Sequence, residues 1–404
     1  MDLAKIRSDF PVFSYEIYGK PFIYLDSACM ALKPKQVIEV MNEYYYEHPA
    51  CGGRSVHKLG TKVTIRCDSA RDRIRDFLSA ENSNEIIFTR NTTEGINLVA
   101  RCFDFQKNDV VLTTDREHNS NLAPWHLLKD LKGIKHEVLP SNEDNTFNLE
   151  AFEERMGKDV KMVSMVHTSN LEGYTIPAKE IIKIAHDHGA LVMLDASQST
   201  AHKKVNVTDL DVDFFCFSIH KMCGPTGMGI LYGKYEQLKK LSPFIVGGDT
   251  VAETSYETTK YLDPPHRFEA GLQNYSGIMG SGAAIQYVGN IGMDNIAKHE
   301  TKLNRIMTSK LDGIPQVHIL GPKEPEKRAG IVSFTVDEMD SHDIAMILDE
   351  MANIMIRSGM HCVHSWFQSR GLNGSARASA YFYNTEEEAK IFGDTLQEIV
   401  EKVG

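Results

Sequence analysis

From residue 86 to residue 218 the chain alternates short runs rich in β-branched and aromatic residues with segments that read as helices. The runs at 86–89, 109–113, 160–167, 191–195 and 214–218 are candidate strands. Between them, 94–103, 122–131 and 178–188 are candidate helices; the last carries apolar residues at helical spacing, with Gly189 placed to terminate it. This rhythm predicts an α/β unit: a mostly parallel sheet with helices on both faces.

The texture changes after Gly271. The segment GLQNYSGIMGSGAAIQYVGNIG is rich in glycine and small residues, a long polar helix pattern follows at 293–311, and shorter strands follow at 330–336 and 376–383. We therefore expect three units. Residues 1–20 form an arm that packs with the small domain, 21–289 a large domain, and 290–404 a smaller α+β domain.

Composition narrows the classes. The 404 residues are 42% hydrophobic and 25% charged, ordinary globular usage with enough apolar matter for a large core. The net charge of -11, with no block of Lys and Arg, argues against nucleic-acid or anionic-membrane binding. There is no signal-like opening and no apolar run of membrane-spanning length, so a soluble, cytoplasmic protein is expected. The seven cysteines are widely spread without a CxxC pair, which argues against a disulfide framework or a structural metal site.

Ligands of open α/β sheets sit beyond the carboxyl ends of the strands, and here those ends are polar. DREHNSN brings His118, HTSN brings Asn170, LDASQS brings Asp195 and Gln198, and SIHK brings Ser218, His220 and Lys221. A lysine and a carboxylate at neighbouring strand ends suit pyridoxal phosphate: the amine forms a Schiff base, and the carboxylate keeps the ring nitrogen protonated. His118 can lie on the ring and move protons, and Gln198 can bond the ring hydroxyl. RNTTEGINLVA offers Thr92, Thr93, Gly95 and backbone N–H groups at a helix start, an anion site for the phosphate, to which Ser218 and His220 add donors. Each feature alone has a plainer reading, as a surface lysine or a helix cap; the weight lies in their joint order.

The motifs TTEGINLVA, EHNSN, HTSN, LDASQS, SIHKMCGPTGMGILYG, RFEAG and RSGMHC resemble the cysteine desulfurases of the class V aminotransferase family, closest to the Suf-type second group. The resemblance runs from YLDSA to RASAYFYNT. It implies a homodimeric fold-type I pyridoxal 5'-phosphate enzyme that converts L-cysteine to L-alanine, passing the sulfur to an acceptor or scaffold protein for iron-sulfur cluster assembly. By position, Lys221 matches the Schiff-base lysine and catalytic base, Asp195 the ring-nitrogen partner, His118 the stacked imidazole and Gln198 the ring-hydroxyl contact. Thr93, Ser218 and His220 match phosphate ligands, while Asn170 and Arg377 match the surroundings of the substrate carboxylate. Cys362 stands where these enzymes keep the nucleophile that becomes a persulfide, with Arg357 and His361 close enough in sequence to favour its thiolate and Gly359 to let the loop move.

The chain departs from the Suf-type pattern at Asn119 and Met360, each in place of a histidine, at Gly53, and at Leu272 in place of a threonine that reaches the other subunit's phosphate. Ser276 is the candidate substitute, and Cys51 a candidate for the site mouth. The rival activities are a selenocysteine lyase, another class V cysteine lyase or epimerase without persulfide transfer, and a non-catalytic sulfur carrier or scaffold.

Overall fold

The computed structural model describes residues 1–403. Its larger sheet holds seven strands: β1 (Ile86–Thr89), β2 (Val110–Thr114), β3 (Lys135–Leu139), β4 (Val160–Val166), β5 (Leu191–Asp195), β6 (Phe214–Ser218) and β7 (Gly229–Gly233). Their spatial order is β1-β7-β6-β5-β4-β2-β3, and only β7 runs against its neighbours. The carboxyl ends of the other six therefore face one side.

Alternate residues of these strands belong to opposite cores. Phe88, Val110, Leu112, Val163, Val192, Leu194, Phe215 and Ile230 enter one apolar cluster, while Ile87, Val111, Met162, Met193, Phe214, Cys216 and Leu231 enter the other. Double coverage makes the strands read as unbroken apolar runs, which is why five of them were recognisable. The two strands not predicted have local reasons. At the sheet edge β3 reads KHEVL, with Lys135 and Val138 exposed; β7 has three apolar residues between glycines.

The glycine-rich stretch is a helix, Tyr275–Ile291, buried on nearly all sides. It packs against the helices Lys35–Glu47 and Lys58–Leu78. At Gly282 an added Cβ would lie 2.7 Å from the Cβ of Ala70, so the small side chains permit the close approach and also erase the polar stripe that marks a surface helix.

Four antiparallel strands, β8 (Val317–Ile319), β9 (Ile331–Val336), β10 (Arg357–Gly359) and β11 (Ser375–Ser379), form the smaller sheet in the order β8-β9-β11-β10. Helices Met293–Leu311, Ser341–Ala352 and Glu386–Val403 contribute the rest of its core. Ile23 and Leu25 join this core from the far end of the sequence, and Ile23–Tyr24 pairs in parallel with Ile354–Met355. The first residues lie on the seam: Phe10 packs on Tyr287, Phe382 and Tyr383, while Arg7 donates to the Tyr383 carbonyl and pairs with Glu388. No helix among the described residues is long and apolar enough to cross a membrane.

Candidate active site

The carboxyl ends of β1, β2, β4, β5 and β6 converge on a cavity of about 250 Å3. Thr92 and Thr93 open the helix after β1, His118 follows β2, and Asn170 follows β4. Asp195 ends β5, Gln198 lies in the next turn, and Ser218, His220 and Lys221 close β6. Arg357 and Arg377 reach in from β10 and β11, and Cys362 from the loop after β10. All twelve candidate residues line this one cavity.

One wall is built to bind an anion. The Thr92 N–H donates to Ser218 Oγ at 2.9 Å, the Thr92 hydroxyl lies 2.8 Å from Ser197 and 2.6 Å from Ser218, and Thr93 lies 2.7 Å from Ser120. These hydroxyls cluster at the start of the helix Thr92–Cys102, where the helix dipole favours negative charge. Gly229 makes the arrangement possible, because a Cβ there would lie 2.5 Å from the Asn91 Cα at the helix cap.

Lys221 is partly buried on the cavity wall, and burial pulls its ammonium below the usual lysine range; Asp195 opposes this and Arg377 adds to it. Burial and the Lys221 charge lower the His118 imidazole from 6.5 to about 4, and burial lowers His220 to about 4 as well. His118 Nδ1 accepts the Ser120 N–H at 3.1 Å, so the neutral ring carries its proton on Nε2. Between pH 6.5 and about 4 the unfolded chain binds a proton that folded His118 refuses, so this group removes stability as pH falls through that window. A His118→Gln variant lacks the effect. We expect its unfolding free energy, from denaturant titrations, to fall by about 1–3 kcal/mol less than that of the wild type between about pH 6.5 and 4.5.

Gln198 donates to the Ala28 carbonyl at 2.8 Å and lies 3.1 Å from His202, which in turn bonds Glu300 at 2.8 Å. Its amide is thus oriented from behind by a buried chain. Arg377 donates to the Asn170 carbonyl at 2.8 Å and to Asp26 at 3.4 Å. Asn170 donates to the His361 carbonyl at 2.8 Å. The Nε of Arg377 and the Oδ1 of Asn170 are buried without partners.

His361 and Cys362 both have positive φ, +49° and +60°, a conformation that costs roughly 1–2 kcal/mol per non-glycine residue. The Cys362 carbonyl is held by the Asn119 N–H at 2.7 Å. The two cations expected to attend its sulfur are engaged elsewhere. Arg357 donates to Cys29 Sγ at 3.0 Å, and burial keeps the His361 ring uncharged while it bonds Ser375 at 2.9 Å. Adjacency in sequence misled here because β10 turns Arg357 toward the 26–29 segment.

The model of the Aminotransferase class-V family matches residues 23–392. The chain belongs to that family. Among its class-V relatives is a probable cysteine desulfurase of Halalkalibacterium halodurans, 38% identical, with 100% of this chain and 99% of that protein covered. The apo structure of the cysteine desulfurase from Thermococcus onnurineus NA1 matches with a TM-score of 0.94 at 38% identity, covering 99% of this chain and 98% of that one. The Escherichia coli cysteine desulfurase CsdA matches at 0.92 and 29% identity over 100% of both chains.

Within this class-V frame the departures acquire structural roles. Asn119 anchors the Cys362 loop, by its N–H and by its side chain 2.8 Å from His364 Nδ1. Met360 packs against the apolar cluster of Leu171, Val363, Trp366 and Phe367. Leu272 is 72% exposed. Ser276 does not replace the missing hydroxyl, because it is buried and donates to the Met41 carbonyl at 3.1 Å. Cys51 lies against Tyr275 at 3.7 Å and is not part of the cavity wall.

Sequence reasoning missed Asp26, Cys29, Ser120 and Ser197. A signal existed for the first two: YLDSAC has the same Leu-Asp followed by small residues that ends β5 in LDASQS. Asp26 joins Arg377 to Arg357, which lies 3.8 Å from its carboxylate.

Proposed function

We propose that this protein is a pyridoxal 5'-phosphate-dependent cysteine desulfurase, which converts L-cysteine to L-alanine and carries the sulfur as a persulfide on Cys362. The observation that carries this reading is a partly buried amine, Lys221, and a half-buried thiol, Cys362, opening onto one cavity.

The residues present fit the cofactor. A hydroxyl-rich helix start suits its phosphate, Asp195 its ring nitrogen, and Lys221 its aldehyde; the unpartnered Arg377 Nε and Asn170 Oδ1 leave polar capacity for an amino acid. When bound, the cofactor supplies an electron-accepting ring that makes the Cα–H bond of the substrate acidic. Thr92, Thr93, Ser218 and His220 hold the phosphate. His118, neutral at physiological pH and on the cavity wall, would face the ring without adding a charge. Gln198, fixed by Ala28 and His202, presents its amide edge to the ring hydroxyl. Arg377, Asn170 and Arg357 hold the substrate carboxylate, which aims the Cα–H bond at Lys221 Nζ, the base that takes and returns the proton. Cys362 Sγ attacks the substrate sulfur. An S–S bond forms as the C–S bond breaks, and the carbon keeps the electron pair that becomes the alanine methyl group.

The same reading has the sulfur pass to an acceptor or scaffold protein for iron-sulfur cluster assembly, in a cytoplasmic homodimer with units 1–20, 21–289 and 290–404. Val56, Leu59 and Ile65 support the dimer as exposed apolar side chains on and just before the helix Lys58–Leu78, a face for a second copy to cover.

The test is peptide mass spectrometry of the cofactor-loaded protein after mixing with L-cysteine. The peptide with Cys362 should gain the mass of sulfur while alanine accumulates, and Cys362→Ala should form no protein-bound persulfide. A wild-type Cys362 peptide that stays unmodified while alanine or pyruvate accumulates would refute the persulfide and favour a direct lyase.

A further inference from the structure

Two of the seven cysteines line the active cavity. Cys102, Cys216 and Cys223 are buried in the apolar cores, and Cys51 and Cys67 lie elsewhere. Cys29 follows the short strand Ile23–Tyr24 and is half-buried on the cavity wall, where Cys362, Lys221 and Arg377 also stand. We propose that Cys29 is a second sulfur carrier, which takes the outer sulfur from the Cys362 persulfide inside the cavity and frees Cys362 for another turnover. The proposal rests on the desulfurase reading above.

Three observations carry it. The first is placement: Cys29 and Cys362 stand on the wall of the same cavity, the one in which the persulfide forms. The second is orientation. Arg357 Nη1 donates to Cys29 Sγ at 3.0 Å, which fixes where that sulfur points and sets a positive charge beside it, favouring the thiolate that attacks. Asp26, 3.8 Å from Arg357, holds that guanidinium in place. The third is connection. Arg357 begins β10, and β10 runs directly into the Cys362 loop, so one short segment both orients Cys29 and delivers Cys362. Positive φ values at Gly359, His361 and Cys362, +103°, +49° and +60°, give that segment its turns. The same wall holds the buried, unpartnered Arg377 Nε and Asn170 Oδ1, groups that call for a polar ligand there.

The transfer balances without an added oxidant. The Cys29 thiolate attacks the outer sulfur of the Cys362 persulfide, and a new S–S bond forms on Cys29. The old S–S bond breaks, and its electron pair leaves on Cys362 Sγ, which takes the proton given up by Cys29. The chain then holds one sulfane sulfur on Cys29 and a free thiol at Cys362, ready to accept another.

The experiment counts alanine in a single burst. Cofactor-loaded enzyme is mixed with excess L-cysteine without reductant or acceptor; alanine per chain is quantified, persulfides are capped with an alkylating reagent, and both peptides are weighed. We expect two alanines per chain from the wild type with sulfane sulfur on both peptides. Cys29→Ala and Cys29→Ser should each give one, and Cys362→Ala should leave Cys29 unlabelled. A wild-type burst of one, with sulfur confined to Cys362, overturns the proposal, and needs no variant to fold. A Cys29–Cys362 disulfide with release of hydrosulfide also overturns it, since that product requires attack on the inner sulfur. A wild type that makes no alanine and labels neither peptide overturns the desulfurase reading beneath it, an outcome distinct from the other two.

Discussion

Lys221→Ala abolishes alanine formation from L-cysteine, with turnover at least about 10⁴-fold below the wild type in a stopped assay of released alanine. The amine sits in a partly buried position where desolvation lowers its pKa, so a neutral, proton-accepting form is reached closer to physiological pH than for a solvated lysine. No other side chain on the wall offers a comparable base. His118 and His220 are both lowered to about 4, which makes each a weak acceptor, and the guanidinium groups of Arg357 and Arg377 offer only donors. Lys221→Arg should fail as completely, because guanidinium keeps the charge without the lone pair. Melting temperatures near that of the wild type would assign the loss to chemistry rather than folding. A Lys221→Ala protein that retained a tenth of the activity would remove the lysine from its role.

The larger sheet and the strand-end residues were legible for one physical reason. Strands buried on both faces are apolar throughout, so each polar group at a carboxyl end stands out, and Asp195, Ser218 and Lys221 sit at such breaks. The helix Met293–Leu311 was equally plain, since one face is wet. What escaped lacked that contrast. The strand Ile23–Tyr24 is two residues long, too short for any period, and so Cys29 was not placed on the wall. Tyr275–Ile291 has no polar stripe because it is enclosed by other helices. The partner of Arg357 depends on the pairing of β10 with β11, a long-range fact that no local pattern carries.

Arg116→Ala should give the largest loss of stability, about 3–5 kcal/mol in denaturant or thermal unfolding. Arg116 and Glu172 are 2% and 1% exposed and form a buried ion pair, and the same guanidinium donates to the Asn145 carbonyl and lies 3.4 Å from Asp115. Removing it strands the Glu172 carboxylate in a site where burial already raises its pKa. The consequence reaches the active cavity. Glu172 belongs to the turn from Ser169 to Tyr174, closed by the Ser169 N–H to the Tyr174 carbonyl at 2.9 Å and the Gly173 N–H to the Ser169 carbonyl at 3.0 Å, and this turn presents Asn170. A loosened turn withdraws both the Asn170 amide from the His361 carbonyl and the Asn170 carbonyl from Arg377. Substrate affinity should therefore weaken along with stability. The double variant Arg116→Met, Glu172→Leu separates the terms: with Glu172 gone and Asp115 still paired with Arg370 at 3.0 Å, no buried charge is left unpaired, and it should recover most of the lost stability. If Arg116→Ala instead unfolds within about 1 kcal/mol of the wild type, water reaches Glu172, and the pair does not pin the turn.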